Sequence, residues 1–438
     1  MKLQKLISAL LSLCLLVPFL AGCAQAEDEK STTTTVKEQP DDPIQVEVIS
    51  ATNLMAGVVA NPVTDREPDD AFKNAYNDFA IRLFTASAAQ ERENNLLFSP
   101  LSAMVALAMT QNGAKENTRA QMEALLGGTL SAEELNATLR TWIATMSTRK
   151  HVTLSAANSI WTKEERFIPN RDFLQTNADY YNAQIYAAPF NDQTVKDVNL
   201  WIEEQTNGLI KNMLNRLDPE TVALLINTLY FQSEWSDPYL DVQLEDSTFH
   251  GVEDDAYAQM MHSVESSHLS MEGAQGFKKY YKGGFYFAAI LPEEGTDLQT
   301  FMASLTGEKL TAFLDSGTRA DVHAKIPAFS YDCDLPLKDV LKPLIPDAFD
   351  PTAANFTGMG TTDNGDPVYI GNVLQKTSIT LNKNGTTAAA ATVVVMDGAG
   401  GEPEELPVYH ITLDRPFVYA IVDAYTNLPI FIGAVEQM

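Results

Sequence analysis

NGTTAAAATVVVMDGAGGEPEELP, residues Asn384 to Pro407, sets three textures side by side. Thr386 and Thr387 are followed by Ala388, Ala389, Ala390 and Ala391, then by Thr392 and three valines, and a glycine-rich acidic stretch ends at Pro407. From Thr386 to Ala391 the side chains are only methyls and hydroxyls, and no proline interrupts a hydrogen-bonded ladder. Thr392 to Val395 adds the β-branched preference of a strand, and Gly385 supplies a flexible start where the chain can turn. On composition alone an alanine-rich helix or a plain linker fits the same residues. Strand, alanine-rich helix and linker all stay open at this point.

The N-terminus reads as an export signal. MKLQKLISALLSLCLLVPFLAGCAQ carries Lys2 and Lys5, then an apolar stretch from Leu6 to Leu20 that is too short for a comfortable membrane span. Leu20, Ala21, Gly22 and Cys23 resemble a bacterial lipobox, with cleavage before Cys23 and acylation of that residue; cleavage elsewhere as an ordinary signal peptide is the alternative. Several acyl chains on Cys23 would anchor the protein stably to the bacterial membrane, at the cell surface. The expected organisation is a signal peptide over residues 1–22, a lipidated cysteine and flexible tether over 23–65, and one large domain over 66–438. The tether sequence is charged, threonine-rich and poor in aromatics up to about Pro43. Residues 45–64 are more apolar and suit packing against the domain.

Of three cysteines, Cys14 lies in the signal and Cys23 is the acylation candidate, so only Cys333 remains in the domain. Stability must then come from a large core rather than from a disulfide. The formal net charge of −28 argues against nucleic-acid binding. No cofactor and no metal is expected. The chain contains no HExxH, GxSxG, CxxC or glycine-rich phosphate loop, so an enzyme reading finds little. His262 and His268 in MMHSVESSH read as strand-and-turn surface rather than as a metal pair.

Periodicity predicts helices early and strands late, an α+β class. Ala71 onward places Phe72, Tyr76, Phe79, Ala80 and Leu83 on one helical face, and Ser99 with Pro100 opens a small-residue helix that ends at Gly113. VKDVNLWIEEQTNGLIKNML predicts a helix closed near Gly208, TVALLINTLYF a buried strand, and GFYFAAILP and HAKIPAFSY further strands. VYHITL, PFVYAIVD and LPIFIGAV predict three strands in a sheet interior.

Five stretches then occur in a familiar order: NLLFSPLSAMVALAMTQNGAKENT from Asn95, VNLWIEEQTNGLI from Val198, LINTLYFQSEWSDPY from Leu225, NGTTAAAAT from Asn384 and DRPFVYAIVD from Asp414. Together they resemble the serpin family from about Asp69 to the C-terminus. The resemblance implies eight to nine helices, three β-sheets and an exposed reactive-centre loop. It further implies a monomer whose partner is a target protease, trapped covalently as an acyl-enzyme while the cleaved loop inserts into the central sheet. Its hinge would be Gly385 to Thr392. Its sheet-opening residues would be Ser99, Ser102, Asn227, Trp235 and Gln375. The scissile bond, fourteen residues beyond Gly385, would be Ala399–Gly400. Insertion of about a dozen residues at roughly 0.5–1.5 kcal/mol per hydrogen bond would release on the order of 10 kcal/mol.

Three departures stand out. Lys383 and Thr387 replace glutamates common in inhibitory members, and Gln375 replaces a frequent histidine. Gln375 retains a donor and an acceptor for the neighbouring hydroxyls. Gly385 and Pro416 are also about six residues further apart than in many inhibitors. A non-inhibitory serpin, a surface binding protein whose loop never inserts, is the alternative function. The hinge lacks the bulky, charged or proline residues that such members carry. An alanine before the cut suits elastase- or subtilisin-like serine proteases, with papain-like cysteine proteases as a further class.

Overall fold

The computed structural model describes residues 48–90, 95–164, 167–206, 208, 211–217, 223–362, 367–386 and 405–438. Among them the chain forms nine α-helices and three sheets. With strands numbered along the chain, the first sheet has seven in the order β1 (Thr52–Asn53), β5 (Gln184–Ala188), β3 (Val152–Lys163), β6 (Ala223–Glu234), β15 (Gly385–Thr386), β14 (Asn372–Asn382) and β12 (Phe329–Pro336). The second has nine. It runs β16 (Val408–Thr412), β11 (Thr318–Pro327), β8 (Asp255–Met271), β9 (Ala274–Tyr281), β10 (Phe285–Pro292), β17 (Phe417–Asp423), β18 (Leu428–Val435) and β2 (Leu96–Phe98), with β7 (Leu244–His250) joined to β8. A small third sheet pairs β4 (Ile168–Pro169) with β13 (Gly360–Thr361).

The first two helices follow their sequence signals. The helix α1 (Asp70–Ala88) starts at Asp69, whose side chain accepts from the Phe72 N–H, and buries Phe72, Tyr76, Phe79, Ala80 and Leu83. The helix α2 (Pro100–Gln111) has Ser99 as its cap and proline in its first turn, and every residue in it is buried. It contacts both β6 and β18, so it sits behind the centre of the first sheet and against the second.

Several sequence expectations need correction. The tether does not run to residue 65 as a free segment: β1 pairs with β5, and the Ser50 and Ala51 N–H groups donate to the Asp197 carboxylate at 3.0 and 2.8 Å. The helix expected to close near Gly208 does so: it spans Asp192–Gln205, is capped at Thr206, and Gly208, at φ +78°, donates its N–H back to the Glu203 carbonyl. HAKIPAFSY is two strands, β11 ending at Pro327 and β12 beginning at Phe329, in different sheets. β16 is not interior: among the described residues it is an edge strand bonded only to β11, with Val408 and His410 exposed. β17 and β18, by contrast, are fully buried.

Candidate functional site: the opening of the first sheet

The centre of the first sheet is where its two halves meet. β6 and β14 are parallel neighbours and pair directly over Leu224–Asn227 and Asn372–Gln375. Higher up they are separated by β15, antiparallel to both: Gly385 faces Glu234 and Asn382, and Thr386 faces Ser233 and Leu381. No strand among the described residues fills the space between Thr228–Gln232 and Lys376–Thr380. A small cavity there is lined by Phe231, Ser378, Ile379, Thr386 and residues of the sheet behind.

Each β15 residue is held for a local reason. Gly385 has φ +147°, and a Cβ there would lie 2.2 Å from the Ser233 carbonyl oxygen, so only glycine lets the chain turn in against β6. The Thr386 side chain is 2 % exposed, and its hydroxyl meets the Tyr281 phenol at 2.7 Å. Burial raises the Tyr281 phenol well above its ordinary value, so it is neutral and can donate or accept.

Trp235 organises the turn that delivers β15. Its indole Nε1 donates to the Asn382 carbonyl and its backbone N–H to the Asn384 carbonyl, each at 2.9 Å. The Tyr239 N–H donates to the Lys383 carbonyl at 2.9 Å. The Trp235 ring stacks on Tyr281 with centroids 4.1 Å apart and planes 12° apart. Behind this pair Lys279, 3 % exposed, is ion-paired with Glu265 at 2.9 Å and lies over the Tyr239 ring at 4.3 Å. Lys383, the reversed charge noted in the sequence, pairs with Asp241. The charge reversal therefore has its own local partner.

The polar cluster expected lower in the sheet is assembled. The Gln375 amide accepts from the Ser99 N–H at 2.9 Å and donates to the Ser99 carbonyl at 2.9 Å and to the Ser102 hydroxyl at 3.1 Å. Ser99 in turn donates its hydroxyl to the Ile430 carbonyl at 3.0 Å. One side chain thus ties β14 to the start of α2 and, through Ser99, to β18. Asn227 is the register partner of Gln375 on β6.

Among the sequence-predicted residues, the structure brings together Gly385, Thr386 and Trp235 at the top, and Ser99, Ser102 and Gln375 below. Thr387 to Thr392, Ala399, Gly400 and Cys23 lie outside the described residues. Sequence reasoning missed Tyr281, Lys279, Glu265 and Asp241. They come from β8, β9 and the segment before β7, and nothing in their local pattern announces that they will meet the loop. His262 and His268 do not converge: His262 Nε2 lies 3.0 Å from a Glu245 oxygen, whereas His268 is buried and stacked on Tyr409 at 3.7 Å.

Comparison with known proteins adds independent information. A family model described as Serpin (serine protease inhibitor) matches residues 74–438. Alpha-1-antitrypsin 1-4 of Mus musculus is 27 % identical over 437 residues, covering 97 % of this chain and 96 % of its own. The crystal structure of tengpin, a thermophilic serpin, in its native state is 40 % identical with a TM-score of 0.83, covering 89 % of this chain and all of that one. Tengpin in its latent state is 37 % identical with a TM-score of 0.75, covering 86 % of this chain and all of that one.

Proposed function

As the chain belongs to the serpin family, we propose that it is a suicide inhibitor of elastase- or subtilisin-like serine proteases, with papain-like cysteine proteases as a second class. The protease attacks the Ala399 carbonyl and releases Gly400 on the leaving side. The cleaved loop then enters the first sheet while the acyl-enzyme is still bonded to Ala399. No lysine or arginine occurs between Asn384 and His410, which disfavours enzymes with an acidic specificity pocket.

The observation that carries this reading is the pairing of β15 on both edges. Carried on at the same register after cleavage, the strand would set Thr392 between Asn227 and Gln375, and Val395 between Leu224 and Asn372. Even-numbered residues from Thr386 to Val394 would point the way the buried Thr386 points, and up to Thr392 all are alanine or threonine. Insertion replaces one parallel ladder by two antiparallel ones, which are somewhat more stable per residue. To admit Thr392 to Val395 the direct β6–β14 pairing must part, and that pairing is where Gln375 binds Ser99 and Ser102. This polar cluster is a lock that insertion has to pass.

Incubation with pancreatic elastase or subtilisin should yield a complex that survives boiling in detergent, and mass spectrometry of the released fragment places the bond. A fragment terminus outside Met396 to Gly401, or stoichiometric trapping of trypsin, refutes the assignment. Cleavage of the loop should also raise the melting temperature steeply, whereas a non-inhibitory member would show almost no change.

We further propose a monomer displayed at the cell surface through acylated Cys23. Fatty-acid labelling should mark the chain, and a Cys23→Ala protein that still partitions into membranes would sink this part.

A further inference from the structure

β16 follows the loop in sequence, and among the described residues it is held from one side. It pairs in parallel with β11, Asp321 to Lys325 against Val408 to Thr412. The Asp321 N–H bond to the Pro407 carbonyl and the Leu413 N–H bond to the Lys325 carbonyl lengthen the attachment by one residue at each end. On the exposed face of this pair, His323 and His410 stand directly opposite in register. Their imidazoles stack with centroids 4.8 Å apart and planes 19° apart. Neither ring has a hydrogen-bond or ion-pair partner among the described residues.

The two rings line an open groove with Glu245, His262, Lys325 and Thr412. The other charged groups there are already engaged: one Glu245 oxygen lies 3.0 Å from His262 Nε2 and 3.6 Å from Lys325 Nζ. The pair with uncommitted ring nitrogens is therefore His323 and His410.

We propose that His323 and His410 form a two-imidazole site for a divalent transition-metal ion, Zn²⁺, Ni²⁺ or Cu²⁺, that crosslinks β16 to β11. Imidazole nitrogen suits these ions, whereas Ca²⁺ and Mg²⁺ call for oxygen ligands. Neighbouring strands lie about 4.7–4.9 Å apart, and nitrogen–zinc bonds run about 2.0–2.1 Å, so rotation of the two side chains alone brings both rings to one ion. No group of three His, Cys, Asp or Glu suited to a metal occurs among the described residues. Water completes the coordination sphere, and the site is a two-ligand clamp rather than a closed structural centre. An ion bound there adds a second link to a strand that, among the described residues, is attached along one edge of backbone hydrogen bonds. This site is independent of the inhibitory reading.

The test is calorimetric titration of the full chain with NiCl₂ and ZnCl₂, alongside His323→Ala, His410→Ala and His262→Ala. Both ligand rings are exposed, so their replacement leaves the core packing intact. One ion per chain is expected, with affinity at least tenfold weaker in each of the first two variants and unchanged in the third. Hydrogen exchange at residues 408–412 should slow on adding metal in the parent chain and not in His410→Ala. Absence of a bound ion overturns the proposal. So does undiminished binding in either ligand variant, which would place the ion elsewhere, for instance on acidic surface. Binding without slower exchange in β16 overturns the clamp.

Discussion

The Thr386 hydroxyl and the Tyr281 phenol meet at 2.7 Å in a fully buried contact, and that contact joins the first residues of the loop to the second sheet. The loop is therefore already engaged at its first two residues in the uncleaved chain. This changes what a hinge substitution does.

Thr386→Arg should act before cleavage as well as after it. A guanidinium without a partner at this position would cost several kcal/mol, so β15 should leave the sheet and the loop should be cut as a substrate without trapping. Trp235 fluorescence reports the first effect, because its indole stacks on Tyr281 and holds the turn. Detergent-resistant complexes formed by this variant would contradict the insertion model. Tyr281→Phe leaves the Thr386 hydroxyl buried without its partner and should cost about 1–3 kcal/mol.

Gly385→Val should also displace β15. Its φ of +147° is strained for any L side chain, and the new Cβ would lie within 2.2 Å of the Ser233 oxygen. Faster hydrogen exchange at the amides of residues 385 and 386 is the expected readout. An unchanged rate would mean that the turn adjusts without leaving the sheet.

Lys279 and Glu265 should show strong coupling. Removing either alone leaves a buried charge uncompensated and should cost about 3–5 kcal/mol, whereas the double change Lys279→Met with Glu265→Leu should come close to the parent stability. Denaturant unfolding of the four proteins measures the cycle. Additive losses would show that the ion pair contributes little beyond packing against Tyr239.

Acidification should weaken the fold first through His268. Burial pushes its imidazole pKa down, so the unfolded chain takes up a proton near pH 6.5 while the folded chain does not. Stability should fall as pH drops from about 6.5 towards 5. The carboxylates held low by hydrogen bonds, such as Asp297 through Thr300, act further down in pH. His268→Phe should flatten the drop between pH 7 and 5 in urea titrations, since a phenyl ring can still stack on Tyr409. A slope that persists in this variant would assign the effect elsewhere.

Much of the site was legible because it depends on properties local to the chain. Small side chains from Thr386 to Ala391 and the Ser99–Pro100 helix start are visible residue by residue, and Gln375 retains hydrogen-bonding capacity wherever it lies. The family order of five motifs set the α+β architecture, and the single domain cysteine set the absence of a domain disulfide. Only the tertiary structure decided that Thr386 is buried rather than exposed, that β16 is an edge strand among the described residues, and that Lys383 answers to Asp241. It also decided that Tyr281, Lys279 and Glu265 stand behind the hinge and that His323 meets His410. The physical reason is common to all of these. Which residue lies opposite another in a sheet is set by register between distant segments, and one residue of slip exchanges the two faces. Local periodicity identifies a strand but carries no information about its neighbour.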